Sequence, residues 1–87
     1  MALFMIERTF AAALNPTASD IKAIGELNAA TGAKWLYSFL TADKRKTYCL
    51  YEADSAETIR EAARRAGLPV DVIMELSGEL RPEALLA

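Results

Sequence analysis

The spacing of hydrophobic and polar positions changes several times along the chain, and each change marks an element. Residues 3–10 are apolar at nearly every position until Glu7 and Arg8, the pattern of a buried strand running into a turn. Asn15-Pro16 breaks the run. Thr17 and Asp20 then have the spacing of a capping box, in which each side chain serves the other residue's backbone N–H. The helix that follows sets Ile21, Ile24, Leu27 and Asn28 along one stripe and stops at Gly32. Trp35, Tyr37 and Phe39 alternate with Leu36 and Leu40 within residues 34–41, which predicts a strand with those aromatics on one side. Residues 42–45 form the polar turn of a hairpin that returns through Lys46–Ala53. Asp54 and Ser55 compete to cap a second helix, Ala56–Ala66, with Ile59, Ala62, Ala63 and Ala66 on one face. Gly67 ends it, Pro69 prevents its continuation, and residues 70–76 form a last strand.

The order β-α-β-β-α-β predicts an α+β, ferredoxin-like fold: a four-stranded antiparallel sheet with both helices on one face. One domain spans residues 1–87, with a core of about 3–76 and a C-terminal tail of 77–87. The sheet face without helices should be polar if it meets water, yet apolar residues fall on both sides of all four strands. Such a face needs a cover. A second copy of the sheet supplies one, giving a two-fold homodimer, a dimeric α/β barrel with an enclosed space between the sheets. The competing cover is the tail, through Leu80, Leu85 and Leu86.

Composition removes most of the catalytic repertoire. The 87 residues include no histidine and a single cysteine, Cys49. That excludes Ser-His and Cys-His pairs, two-histidine metal sites and an intramolecular disulfide, and it suits a reducing cytoplasm. Ten basic against twelve acidic residues leave a net charge of −2, which argues against a nucleic-acid partner. The opening apolar run is cut by Glu7 and Arg8 far short of a membrane span and lacks a basic leader. The four glycines are scattered, so there is no phosphate-cradling loop. Lys44, Arg45 and Lys46 in the hairpin, and the arginines of the second helix, read as a solvated face.

Candidate chemistry lies in the strands. Glu7, in apolar surroundings, must find a cation, bind a metal or act as a base with a raised pKa. Glu52 raises the same question, and Arg8 on the neighbouring first strand is its candidate partner. Cys49 is either a small buried hydrophobe or a soft metal ligand. Trp35, Tyr37 and Tyr51 supply aromatic walls for a ligand pocket to which Glu7, Cys49 and Glu52 would add polar contacts.

The segments Glu7-Arg8-Thr9-Phe10, Trp35-Leu36-Tyr37-Ser38, Lys46–Ala53 and residues 59–69 resemble a family of small bacterial proteins classed as a domain of unknown function, some members of which are nickel-binding. The resemblance runs from Met5 to about Leu76 and is most specific in Lys46–Ala53. It implies a ferredoxin-like homodimer and, as cofactor, a divalent metal such as nickel. Nickel favours nitrogen and sulfur donors, so without imidazole the candidate metal ligands are Glu7 and Cys49. The leading expectation is a homodimer that binds a metal ion or small ligand. The alternative is a cofactor-free dimeric α/β-barrel enzyme (an oxygenase, isomerase or cyclase) with a carboxylate base such as Glu7. A plain interaction module is the third reading.

Overall fold

The computed structural model describes residues 1–83. Its elements are β1 (Ala2–Thr9), α1 (Ala18–Ala30), β2 (Lys34–Leu40), β3 (Lys46–Ala53), α2 (Ala56–Ala66) and β4 (Val72–Leu76). The sheet order is β2-β3-β1-β4 and every pairing is antiparallel. This is the ferredoxin-like α+β arrangement, with α1 and α2 on one face. The last strand begins two residues later than expected, because residues 69–71 form the link from α2.

Local chemistry sets the helix ends. At α1, Asp20 N–H donates to Thr17 Oγ1 (3.1 Å) and Thr17 N–H to Asp20 Oδ2 (2.9 Å), a complete capping box. Ser55, not Asp54, caps α2 by accepting from Thr58 N–H. Gly67 takes the left-handed conformation at φ 68°, which lets Leu68 N–H reach back to the Ala63 carbonyl and close the last turn.

Alternation along the two central strands sorts the side chains. Phe4, Ile6 and Arg8 of β1, with Thr47, Cys49, Tyr51 and Ala53 of β3, are buried beneath the helices. The apolar ones among them, with Tyr51, pack with Ala33 and with Ile59 and Ala62 of α2 into the core. Leu3, Met5 and Glu7, with Lys46, Tyr48, Leu50 and Glu52, have the opposite parity and lie on the open face.

In β2 the simple alternation fails. Trp35 pairs with Tyr51 and Tyr37 with Leu50, so Leu36 is an extra residue with no rung of its own. This bulge re-aims the strand: Trp35 stays with Tyr51 on the helix side, while Tyr37 and Phe39 turn to the open face. The expected common side for Trp35, Tyr37 and Phe39 is thereby corrected. Tyr37 and Phe39 meet edge to face, with ring centroids 5.6 Å apart.

The open face is apolar. Phe39 is 60% exposed and Met74 56% exposed, and Val72 and Tyr37 are also exposed. The start of the tail approaches it, where Tyr37 OH donates to Glu79 Oε1 (3.2 Å). Leu80 stays 90% exposed, and Leu85 and Leu86 lie outside the described residues.

Candidate functional site

Helix α1 is held to the sheet at its C-terminal end and stands away from it at the other. Asn28 is its one buried residue, whereas Ile21 is exposed and Ile24 and Gly25 are half-buried. The segment before α1 is tied to the hairpin turn instead. Phe10 N–H donates to the Arg45 carbonyl and Leu14 N–H to that of Lys44, both at 2.7 Å. The Arg45 guanidinium donates to the Ala11 carbonyl, also at 2.7 Å.

Between this segment, α1 and the sheet lies a crevice of about 670 Å³. Small-molecule pockets commonly run from roughly 300 to 1,000 Å³. Its walls are apolar: Phe10, Leu14, Ile21, Ile24, Trp35 and Leu40 contribute, and Gly25 leaves room above Trp35. The polar side chains in it are those of Arg8, Ser38, Thr47, Cys49 and Tyr51. Arg8 is the only charged residue among them.

Arg8 is 2% exposed. Its guanidinium donates to the Pro69 carbonyl (2.5 Å) and, at the long distance of 3.5 Å, to Tyr51 OH, with its carbon 6.0 Å from the Tyr51 ring centroid. Asn28 Nδ2 donates to the same hydroxyl at 3.1 Å. Burial pushes the Tyr51 phenol above its ordinary pKa, against the opposing pull of Arg8. Tyr51 is therefore a neutral hydroxyl at physiological pH. Cys49 beside it donates weakly to Thr47 Oγ1.

The expected site residues divide between the two faces. Trp35, Cys49 and Tyr51 come together in the crevice, whereas Tyr37 only borders it along the edge strand, its ring and hydroxyl meeting Phe39 and Glu79 on the open face. Glu7 lies on the other face, where Lys46 engages its carboxylate. Glu52 shares that face, 3.9 Å from Lys34. The expected pairing of Arg8 with Glu52 does not form. Arg8 stands opposite Thr47 and Glu52 opposite Leu3, so the two lie far apart along the strands and on opposite faces. Arg8, expected only as the partner of Glu52, instead lines the crevice, and its shared parity with Phe4 and Ile6 is the signal that points there.

The donor set does not fit a nickel centre within one chain. Cys49 and Glu7 occupy opposite faces, there is no imidazole, and no three acidic or thiol side chains gather among the described residues.

Comparison with known proteins places the fold in context. The structure of SCO4226 from Streptomyces coelicolor A3(2) superposes with a TM-score of 0.70, covering 90% of this chain and 99% of that one. At 22% identity this likeness speaks for the fold. No curated protein matches the chain. The model of the family described as nickel responsive protein SCO4226-like matches residues 4–76. The chain belongs to this nickel-responsive SCO4226-like family.

Proposed function

We propose that the protein is a homodimeric small-ligand-binding protein whose ligand enters the crevice between α1 and the sheet. The observation that carries this reading is the buried Arg8 in the wall of an apolar crevice of about 670 Å³. Keeping such a space open forgoes packing that a core of this size could use, so an occupant accounts for it better than stability does. The catalytic alternative has less support, because its candidate base, Glu7, is paired with Lys46 away from the crevice.

For the dimer, the support is the second sheet face. Its four charged strand residues are Glu7, Glu52, Lys34 and Lys46, which pair within the chain and leave the face neutral. Two copies of a neutral apolar face meet without charge repulsion. A buried free thiol at Cys49 suits the cytoplasm. A nickel response in this chain would rest on weak binding, or on ligands shared between copies, because the fold sets its one thiol, Cys49, and the Glu7 carboxylate on opposite faces.

Trp35, the only tryptophan, lies in the crevice and reports its occupancy. The neutral fluorophore phenylnaphthylamine should quench Trp35 emission saturably. Gly25→Leu should abolish that quenching, since a Cβ on Gly25 already sits 4.0 Å from the indole and a longer side chain projects into the space. Quenching that survives Gly25→Leu but disappears in Phe39→Lys would move the site to the open face and overturn the reading.

A further inference from the structure

Arg8 has hydrogen bonds but no counterion. It takes part in none of the ion pairs among the described residues, and the acceptors it meets, the Pro69 carbonyl and Tyr51 hydroxyl, are both neutral. No buried side-chain nitrogen or oxygen among the described residues lacks a partner, so what this site is short of is negative charge. A guanidinium cannot shed its proton to escape, and burying it without an anion is costly. The crevice wall supplies no carboxylate either, since Arg8 is its one charged residue.

We infer that the crevice takes a small organic monoanion, a carboxylate or chemically similar acid on an apolar body, with the acid group on Arg8. The planar guanidinium suits a two-oxygen anion, and the Tyr51 hydroxyl beside it accepts from Asn28 and keeps its own proton to donate. Ile21, Ile24, Leu40 and Trp35 enclose the apolar body. The charge is positive and the room is hydrocarbon-lined, a combination that selects against free inorganic anions and against neutral hydrocarbons alike.

This inference rests on the crevice being the binding site, and two probes sharing one skeleton separate the two claims. Phenylnaphthylamine is neutral, and anilinonaphthalene sulfonate carries an acid group on the same rings. In the wild type the sulfonate should quench Trp35 with affinity roughly tenfold or more above the neutral amine, the factor expected of a charge-assisted hydrogen bond. Arg8→Met should bring the two affinities together while phenylnaphthylamine still binds. Equal affinities in the wild type, or a preference that persists in Arg8→Met, would overturn the anion assignment and leave the crevice standing. Failure of both probes in the wild type would overturn both claims.

Arg8→Met also reads out the role of the charge without any ligand. If the guanidinium serves an anion, removing it relieves an uncompensated buried charge, and the urea midpoint should hold or rise. A large fall in that midpoint would instead make Arg8 a structural tie to Pro69 and count against the inference. Should Arg8→Met fail to fold, Tyr51→Phe supplies the second variant. It should lower the sulfonate preference several-fold while Arg8 remains, and an unchanged preference would again overturn the assignment.

Discussion

The two faces of the sheet draw on the same strands and carry similar shares of apolar residues, yet they reach different states. On the helix side, Phe4, Ile6, Cys49 and Tyr51 are almost wholly buried, and the one charge among them, Arg8, meets neutral acceptors. On the open side, Phe39 and Met74 remain more than half exposed, and the charges Glu7, Glu52, Lys34 and Lys46 pair with each other. Each face therefore lacks a different thing. The open face has balanced charges and unburied hydrocarbon, the needs of a protein interface. The helix side has buried hydrocarbon and an unbalanced charge, the needs of a small acid.

The sharpest test of that division compares truncations on the two sides. Ile6→Ala should cost about 2–5 kcal/mol in urea denaturation, because Ile6 is wholly buried and the gap cannot fully collapse. Val72→Ala, at concentrations that keep the chain monomeric, should cost no more than about 0.5 kcal/mol. Similar losses at both positions would mean that the open face is already covered within one chain, and the comparison would fail.

Next in size is the assembly itself. Sedimentation at micromolar concentration should give twice the 9.5 kDa chain mass, and Met74→Lys should return it to the monomer by placing an unpaired charge on the apolar open face. A wild type that sediments as a monomer would assign the cover to the tail, which Tyr37 already holds near the face through Glu79.

A smaller effect is expected at Glu7. Its partner Lys46 is partly exposed, so Glu7→Gln should lower the urea midpoint only slightly, as an ion pair open to water does. A loss as large as that of Ile6→Ala would show the pair to be shut away from solvent, as two stacked sheets would make it. Alkaline titration gives a gentler reading of the helix side. Burial raises the folded pKa of Tyr51 above its ordinary 10.0, so the unfolded phenol ionises first. Stability that is full below that pH should decline above it, and Tyr51→Phe should remove that part of the decline. Nickel should have the smallest effect. Calorimetry should find weak binding at most, and nanomolar affinity that survives Cys49→Ser would mean that carboxylates alone build a centre.

Much of the fold was legible because its signals are local. The Thr17–Asp20 spacing, Gly67 with Pro69 behind it, and the alanine face of α2 each act within a turn or two of chain. What stayed hidden depends on register. Glu7 was expected in one pocket with Cys49, but the pairing of Cys49 with Ile6 sets the two on opposite faces. The bulge at Leu36 carries neither glycine nor proline to announce it, and it decides which aromatics reach the crevice. Arg8 and Glu52 belong to neighbouring strands and so invited pairing, but the register sets them five rungs apart and at opposite parity. The period-2 rule that puts Phe4 and Ile6 in the core also puts Arg8 there, and that alternation was the available signal. The crevice itself had no signature, since it arises from α1 lifting away at Ile21, Ile24 and Gly25.

The bulge has a second consequence, for aggregation. A dimer formed face to face leaves both lateral edges of each sheet, β2 and β4, with unpaired backbone groups that could recruit further strands. β4 is short, only five residues. β2 is longer, but Leu36 interrupts its ladder spacing and twists the strand, so an incoming strand cannot match it rung for rung. Deleting Leu36 would straighten that edge while leaving Tyr37 opposite Leu50 and Phe39 opposite Tyr48 on the open face. The chain would then gain a regular, sticky border, and open-ended fibre growth would compete with closure into a pair.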